Sequence, residues 1–441
     1  MSNETQNTNL TGAFDAHHPP SLELMEKCVH CGFCLPACPT YSLWGQEMDS
    51  PRGRIYLMKL ALEGKTEMNE SWVSHFDSCL GCVACMPACP SGVDYGKLIE
   101  ATRAQIERNY QRPAAEKLHR KFLFEAFTRP GRMKLLRWPL LVYQKSGLQA
   151  ALRMIGTFKL LPKSVGAMDA LLPTASPIEP VAAFTSAQGE KRKRVGLLLG
   201  CVQRTFFSHV NAATARVLSA EGCEVVAPPE QTCCGALFVH AGEEERAQEL
   251  ARKTIEAFEK ADVETIVINA AGCGSNVKEY GHLLRDDSNY AERAKFFAAK
   301  CKDISEFLAE LPPRAERKPI KARVAFHDSC HLQHAQGVRA QPRSLLLQIP
   351  GTQLLEIPEA PICCGSAGIY NLVQPEAATE LGDRKARLIT PLQPDVVATG
   401  NPGCLLQLQS SLTKANYRIP VVHTIQLLDA SIRGLPLDSL R

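Results

Sequence analysis

Eight of the 18 cysteines fall in two runs of one spacing, Cys28, Cys31, Cys34 and Cys38, then Cys79, Cys82, Cys85 and Cys89, each closed by a proline, Pro39 or Pro90. Two residues between successive cysteines, three before the last and then proline is the spacing by which short loops wrap cubane [4Fe-4S] clusters. A cube needs one thiolate per iron, and three closely spaced thiols reach only three corners. In two-cluster ferredoxins the fourth cysteine of each run ligates the other cluster. On that rule Cys28, Cys31, Cys34 and Cys89 are expected at one cluster, and Cys79, Cys82, Cys85 and Cys38 at the other, close enough for one-electron hopping. Structural zinc favours isolated Cys-x-x-Cys pairs and fits less well, because a third cysteine extends each pair here. No Cys-x-x-Cys-His occurs, which excludes c-type haem attachment. The connecting Asp49-Ser50-Pro51-Arg52-Gly53-Arg54 reads either as carrying cations toward the clusters or as a turn that starts a helix at Arg54.

A second repeat follows. Cys201, the vicinal Cys233-Cys234 with Gly235, and Cys273 recur as Cys330, Cys363-Cys364 with Gly365, and Cys404, at offsets of 129 to 131 residues. Two vicinal pairs with repeated flanking thiols point to metal or redox chemistry rather than core packing; zinc and iron–sulfur suit four sulfur ligands about equally. The glycine permits unusual dihedrals and close backbone approach. His327, Asp328 and His331 beside Cys330 are either supporting groups for such a centre or satisfied loop side chains. Cys223 and Cys301 belong to neither pattern and read as small buried hydrophobes.

The elements that must position these thiols are short β-rich runs alternating with helical ones. Val195–Leu199, Cys223–Ala227 and Thr265–Asn269 precede Cys201, Cys233 and Cys273; Arg323–Phe326, Gln353–Ile357 and Val396–Thr399 precede Cys330, Cys363 and Cys404. Ligands of an open parallel sheet bind outside the carboxyl ends of its strands, so three strand-end loops bring four thiols together. Glu243–Ala261, with Leu250, Ile255 and Phe258 among charges, has the pattern of a covering helix. The fold class expected is α+β: an N-terminal helical two-cluster ferredoxin-type domain over 16–110, a basic amphipathic helical connector and linker over 111–194, and two duplicated α/β domains with short parallel sheets over 195–318 and 319–441.

The composition of the 441 residues is that of a soluble globular protein, 45% hydrophobic and 22% charged. A net charge of +4 from 50 basic and 46 acidic residues is too near balance for nucleic-acid binding over the whole surface. Many cysteines behind a polar N-terminal stretch suggest a reducing compartment and metal or redox use rather than disulfides. Residues 112–163 carry twelve Lys or Arg against only Glu116 and Glu125, interleaved with Leu, Phe, Trp and Met, which suits a membrane surface or a partner better than nucleic acid. Their longest uncharged apolar run, Trp138 to Tyr143, is too short to cross a bilayer.

Two ferredoxin-type motifs followed by two CCG (heterodisulfide-reductase-type cysteine-rich) domains resemble a known architecture, and the later stretches resemble the iron–sulfur subunits of bacterial glycolate oxidases. The residues that carry the likeness are Cys28-Val-His-Cys-Gly-Phe-Cys, Cys38-Pro-Thr-Tyr, Ser50-Pro-Arg-Gly-Arg-Ile, Cys89-Pro-Ser-Gly-Val, Asn211-Ala-Ala-Thr-Ala-Arg-Val-Leu, Gly272-Cys-Gly, Val277-Lys-Glu-Tyr-Gly, Leu332-Gln-His-Ala-Gln and Cys363-Cys-Gly-Ser-Ala-Gly. The resemblance implies two [4Fe-4S] clusters, a further zinc or Fe–S centre in the CCG domains, FAD on flavin-containing partner subunits, and a quinone-type electron acceptor. The implied reaction is a 2-hydroxy-acid oxidation with a non-NAD acceptor, glycolate to glyoxylate and D-lactate to pyruvate, for which this chain alone is not active. It implies a place on the cytoplasmic side of the inner membrane, peripheral to it, and no nucleic-acid partner. The equivalent subunit of an anaerobic glycerol-3-phosphate dehydrogenase or of a lactate-utilisation complex is the alternative. No Gly-x-Gly-x-x-Gly is present, which agrees with a hydride acceptor held elsewhere. The chain departs from heterodisulfide reductases where Asn276 and Gln407 replace the last cysteine of each half, so neither a five-thiol cluster nor disulfide reduction is expected.

Overall fold

All six β-rich runs form strands, five of them inside the two sheets and the run Gln353–Ile357 at the edge of the second. The computed structural model describes residues 12–173 and 177–440; the polar Met1–Thr11, part of the linker at 174–176, and residue 441 lie outside the described residues. The strands are β1 Phe184–Thr185, β2 Lys193–Leu198, β3 Cys223–Val226, β4 Thr265–Ile268, β5 Cys301–Asp303, β6 Ala322–His327, β7 Thr352–Glu356, β8 Val396–Thr399 and β9 Val421–His423. The first sheet has the order β1-β3-β2-β4-β5 and the second β7-β6-β8-β9. All pairings are parallel except β1 with β3. Central parallel strands are covered on both faces and therefore read as unbroken apolar runs; Val396–Thr399 is buried at every position. Register is set by these runs, with Val195 opposite Val225 and Thr265, and Val324 opposite Leu354 and Val396. The edge strands β1, β5 and β9 were not anticipated, because two or three residues carry no periodic signal.

The chain divides into two compact units, Met1–Lys117 with Val239–Glu243, and Leu118–Phe238 with Glu244–Arg441. In the second unit the two sheets share one core, which includes Val195, Leu197 and Leu218 from one half and Val324, Phe326 and Leu428 from the other. The helix Ser208–Ala220 packs on the helix Thr424–Arg433, and Arg216 Nη2 meets the buried carboxylate of Asp429 at 2.7 Å across that contact. The expected covering helix is Glu244–Glu259. From the connector, the helix Pro130–Lys145 turns Met133 inward against Cys201 and Cys233.

The first unit is helical. Proline opens the helices Pro39–Trp44 and Pro51–Leu62, where its missing N–H costs nothing and its fixed φ suits the first turn. Ser50 caps the second, its Oγ accepting from Gly53 N at 3.0 Å, so that helix begins at Pro51 rather than Arg54. Met58, Trp72, Phe76, Leu98, Ile99 and Ile106 make the core against which Cys79 and Cys85 pack.

Duplication shows even in the helix caps. Asp303 ends β5 and caps Ile304–Ala309 through a capping box with Glu306; His423 ends β9 and caps Thr424–Arg433 through a capping box with Gln426. Burial acts on the two caps with opposite sign: it raises Asp303 to about 6 and lowers His423 to about 4. A raised acid binds more protons folded than unfolded, so Asp303 makes stability fall as pH rises from its unfolded value of 3.8 to about 6. A lowered histidine binds fewer, so His423 makes stability rise from about pH 4 to its unfolded value of 6.5. Each amounts to roughly 3 kcal/mol and the two nearly cancel. We expect D303N to gain stability between pH 4 and 6.5 and H423N to lose it over the same range, with the parent nearly flat, when urea midpoints are compared anaerobically.

Candidate functional site

The two ferredoxin-type loops have the same backbone. Left-handed φ values occur at His30 and Gly32 in the first and, 51 residues later, at Gly81 and Val83 in the second. Valine pays a steric cost for that conformation, which shows that the loop's shape, not the residue, is what is repeated. The turn aims the Gly81 N–H at Cys79 Sγ, 3.4 Å away. Cys28 feels the charge of Cys89 and Cys31, and Cys85 that of Cys82, Cys79, Cys38 and, across the groups, Cys34. Cys34 stands near Cys28 and also near Cys38, so the two groups adjoin. They differ in exposure: Cys38, Cys79, Cys82 and Cys85 are buried, whereas Cys31 is exposed and Cys28, Cys34 and Cys89 are half-buried.

Arginines from the connecting segment stand at both groups. Arg54 is 1% exposed. Its Nε donates to His75 O at 2.5 Å, and its Nη2 donates to Ser78 Oγ at 2.8 Å and to Asp49 Oδ1 at 3.4 Å. Both its terminal nitrogens donate to Thr40 Oγ1, which lies 3.2 Å from Cys38 Sγ. Burial works against the charge, but Cys79, Tyr95, Cys38 and Asp49 around it hold Arg54 protonated. In return, although burial opposes ionisation, the Arg54 and Arg103 guanidinium groups hold the Cys79 thiol below its ordinary range. Cys85 has no such cation beside it, and burial pushes it well up. Arg52 is more exposed, reaching His30 O at 3.0 Å and Glu47 Oε1 at 2.6 Å; its charge acts on Cys28 and Cys34, and its backbone N–H hydrogen-bonds the Cys34 sulfur. Eight thiols in two adjoining groups, with buried cations and an amide donor aimed at sulfur, fit anionic thiolate-bound iron–sulfur clusters.

Each half of the duplicated part gathers its four thiols beyond the strand ends, at the switch in strand order where open parallel sheets bind ligands. In the first, Cys233 Sγ lies 3.4 Å from Cys201 Sγ, and Cys234 links Cys233 to Cys273. In the second, Cys363 bridges Cys330 and Cys364, and Cys364 meets Cys404. Gly365 has φ +90°, and a Cβ there would stand 2.5 Å from Ala378 O, so the glycine is required for close approach. Thiol contacts and burial push Cys201, Cys233 and Cys234 up. In the second half neighbouring thiols and the His327 ring hold Cys363 and Cys404 down, while Cys364, between them, is pushed up. The protons are thus already unevenly shared there, and metal binding would release those that remain.

The three polar residues near Cys330 divide. Asp328 is paired with Arg343 at 2.6 Å and His331 Nδ1 lies 2.8 Å from Ser275 Oγ, whereas His327 lies with Cys364 and Cys404. Of the three, His327, the last residue of its strand, is the one that stands at the thiols of its half. Asn276 donates to Cys234 O at 2.7 Å and Gln407 to Ala378 O at 2.9 Å, so where longer CCG patterns have a fifth thiol, these amides brace the backbone. Cys223 and Cys301 are buried, in β3 and β5.

Helical thiol loops joined to two thiol-lined parallel sheets define an iron–sulfur electron-transfer protein. Family models match accordingly: a 4Fe-4S dicluster domain over 24–93, the linker region of the glycolate oxidase iron-sulfur subunit over 115–172, and a cysteine-rich domain over 195–278 and again over 324–409. The chain is 41% identical over 410 residues, 91% of its length and 92% of the relative's, to the probable glycolate oxidase iron-sulfur subunit of Bacillus subtilis (strain 168). It is 36% identical over 414 residues, 93% of its length and 94% of the relative's, to the glycolate oxidase iron-sulfur subunit of Escherichia coli (strain K12). Lactate utilization protein A of an Exiguobacterium species is 31% identical over 242 residues, 54% of this chain and 98% of the relative. The chain belongs to the glycolate oxidase iron-sulfur subunit family.

Removing Arg54 takes the guanidinium from buried Asp49, leaving it Ser78 Oγ at 3.0 Å and His75 Nδ1 at 2.9 Å, and leaves Arg103 as the remaining cation acting on Cys79. R54M is expected to cost about 3–5 kcal/mol of stability and to shift the more buried of two cluster signals to lower potential, read by thermal unfolding and an EPR-monitored redox titration. R52Q, at the exposed group, should cost less than about 1 kcal/mol.

Proposed function

We propose that this chain is the electron-transfer subunit of a flavin-dependent 2-hydroxy-acid dehydrogenase, accepting electrons taken from glycolate, which becomes glyoxylate, and from D-lactate, which becomes pyruvate, on FAD-containing partner subunits, and delivering them to a quinone-type acceptor. The observation that carries the reading is the pair of adjoining thiol groups, one buried and one reaching the surface. When bound there, [4Fe-4S] clusters take up and pass on single electrons, which is how the two electrons of a reduced flavin can be separated. Cys28, Cys31, Cys34 and Cys89 would hold the outer cluster and Cys79, Cys82, Cys85 and Cys38 the inner; the mutual influence of Cys28 with Cys89, and of Cys85 with Cys38, supports that crossed assignment. The polypeptide insulates the inner group, supplies Arg54 and Arg103 as fixed positive charge, and leaves Cys31 at the surface beside the exposed side chains of Val29 and Phe33. An exposed apolar rim around a redox centre suits transient docking of a partner. The names of the two glycolate oxidase relatives support the substrate; that of the lactate utilization relative keeps a lactate complex as the second reading. The four-thiol groups of the duplicated domains, Cys201, Cys233, Cys234 and Cys273, and Cys330, Cys363, Cys364 and Cys404, would hold zinc or iron–sulfur.

The connector supports a peripheral place on the cytoplasmic face of the inner membrane. No helix among the described residues is long and apolar enough to cross a membrane. The helix Pro130–Lys145, whose Met133 faces inward, presents Leu135, Trp138 and Val142, each more than 60% exposed, on its opposite side. Lys134, Arg137 and Lys145 lie on the same helix, and exposed apolar residues among basic ones suit an anionic lipid surface.

Anaerobic iron and sulfide analysis with EPR on the dithionite-reduced chain should give interacting cluster signals, lost in the C28S/C79S double variant. Glycolate oxidation should require the flavin subunits, and robust turnover by the isolated chain would defeat the reading. In vesicle flotation with anionic lipids, neutralising Lys134 and Arg137 together with W138S should weaken binding roughly tenfold or more; unchanged flotation would dismiss the membrane surface.

A further inference from the structure

The two halves of the duplicated part share a backbone but not a donor set. β2 and β6 are equivalent strands, ending at Leu198 and His327, and each is followed three residues later by the first cysteine of its half, Cys201 or Cys330. Leu198 is simply buried. His327, 2% exposed, pairs in register with Thr399 of β8, and the helix that follows β8 carries Cys404. A ring nitrogen of His327 and the sulfurs of Cys364 and Cys404 accordingly lie within 4.8 Å of one another, all three buried. His327 Nδ1 has no hydrogen-bond partner, an uncommon state for a buried polar atom. A buried imidazole with an unsatisfied nitrogen, set against two thiols that touch each other, of which Cys364 also touches Cys363, is what a metal site looks like from the ligands' side.

We infer that the second half-site is a mixed thiolate–imidazole metal centre in which His327 ligates beside Cys364 and Cys404, with Cys363 or Cys330 completing the set, whereas the first is bound by thiolates alone. The ligand class is a soft to borderline transition metal, zinc or iron, which sulfur and imidazole together suit. Replacing a thiolate by a neutral imidazole removes one negative charge, and in iron–sulfur centres such a replacement raises the reduction potential. The two half-sites are therefore chemically distinct although their folds are copies. The inference rests on reading the vicinal cysteines as metal ligands and is independent of the substrate.

The test uses the full chain purified anaerobically, with zinc and iron counted per chain in the parent, C201S, C404S, H327L and H327C. H327L installs the residue that the first half has at this register. We expect C404S and H327L to lose the same metal, C201S to lose a different complement, and H327C to restore what H327L loses. The iron of the ferredoxin-type groups serves as the internal control for folding. On the unaltered protein, zinc would show one nitrogen at about 2.0 Å among sulfurs at about 2.3 Å in X-ray absorption, and a paramagnetic iron centre would show nitrogen hyperfine coupling that changes on 15N-histidine labelling. If C404S loses metal while H327L keeps the parent's metal and spectrum, His327 is not a ligand and the inference falls. If C404S also keeps the full complement, the vicinal cysteines hold no metal and the inference falls with them.

Discussion

A thiolate can be buried beside other thiolates only when positive charge stands among them. That constraint organises this protein. Where Arg54 and Arg103 approach the inner ferredoxin-type group, Cys79 is held toward its thiolate; at Cys201, Cys234 and Cys85, contact with neighbouring thiols together with burial holds the proton on sulfur. On binding a metal these thiols would release their protons to solvent, so the metal would supply the missing positive charge there, and folding and metal binding would be thermodynamically linked.

The scaffold answers the constraint by using the ends of secondary structure. Thiols in the first unit sit on left-handed loops ahead of helices, Pro39–Trp44 after the first run and Tyr95–Asn109 after the second, and thiols in the second unit sit beyond the ends of parallel strands. Both locations offer irregular backbone, held by rigid elements, whose amides are not consumed by a ladder. The connector contributes Met133 as part of the apolar cover over Cys201 and Cys233, so a stretch that looks like a linker in composition also closes a site.

How much of this was legible follows from how local each signal is. The two cysteine runs are readable because each loop's thiols are neighbours in sequence, and the central strands because burial on both faces writes unbroken apolar runs such as Thr265–Ile268. The edge strands Cys301–Asp303 and Val421–His423 are too short to write any pattern. Arg54 was legible as a cation between the runs but not as a buried one, because its burial depends on Thr40, Asp49 and Ser78 arriving from three other segments. His327 was legible as a supporting group near Cys330, but not which thiols it meets: parallel pairing of β6 with β8 brings it to Cys404. Long-range pairing is what sequence spacing does not encode, and the duplicated half made it interpretable by offering Leu198 as the comparison.

The exposure of Cys31 sets where the molecule is vulnerable. Oxidants reach accessible, thiolate-like sulfur first, and the early steps from sulfenic acid are reversible while the later ones are not. Peroxide would meet the outer thiol group before the inner one, which lies behind protein. A partner docked over Val29, Phe33 and Cys31 would thus also act as a shield, and the isolated chain would be expected to age from that corner inward.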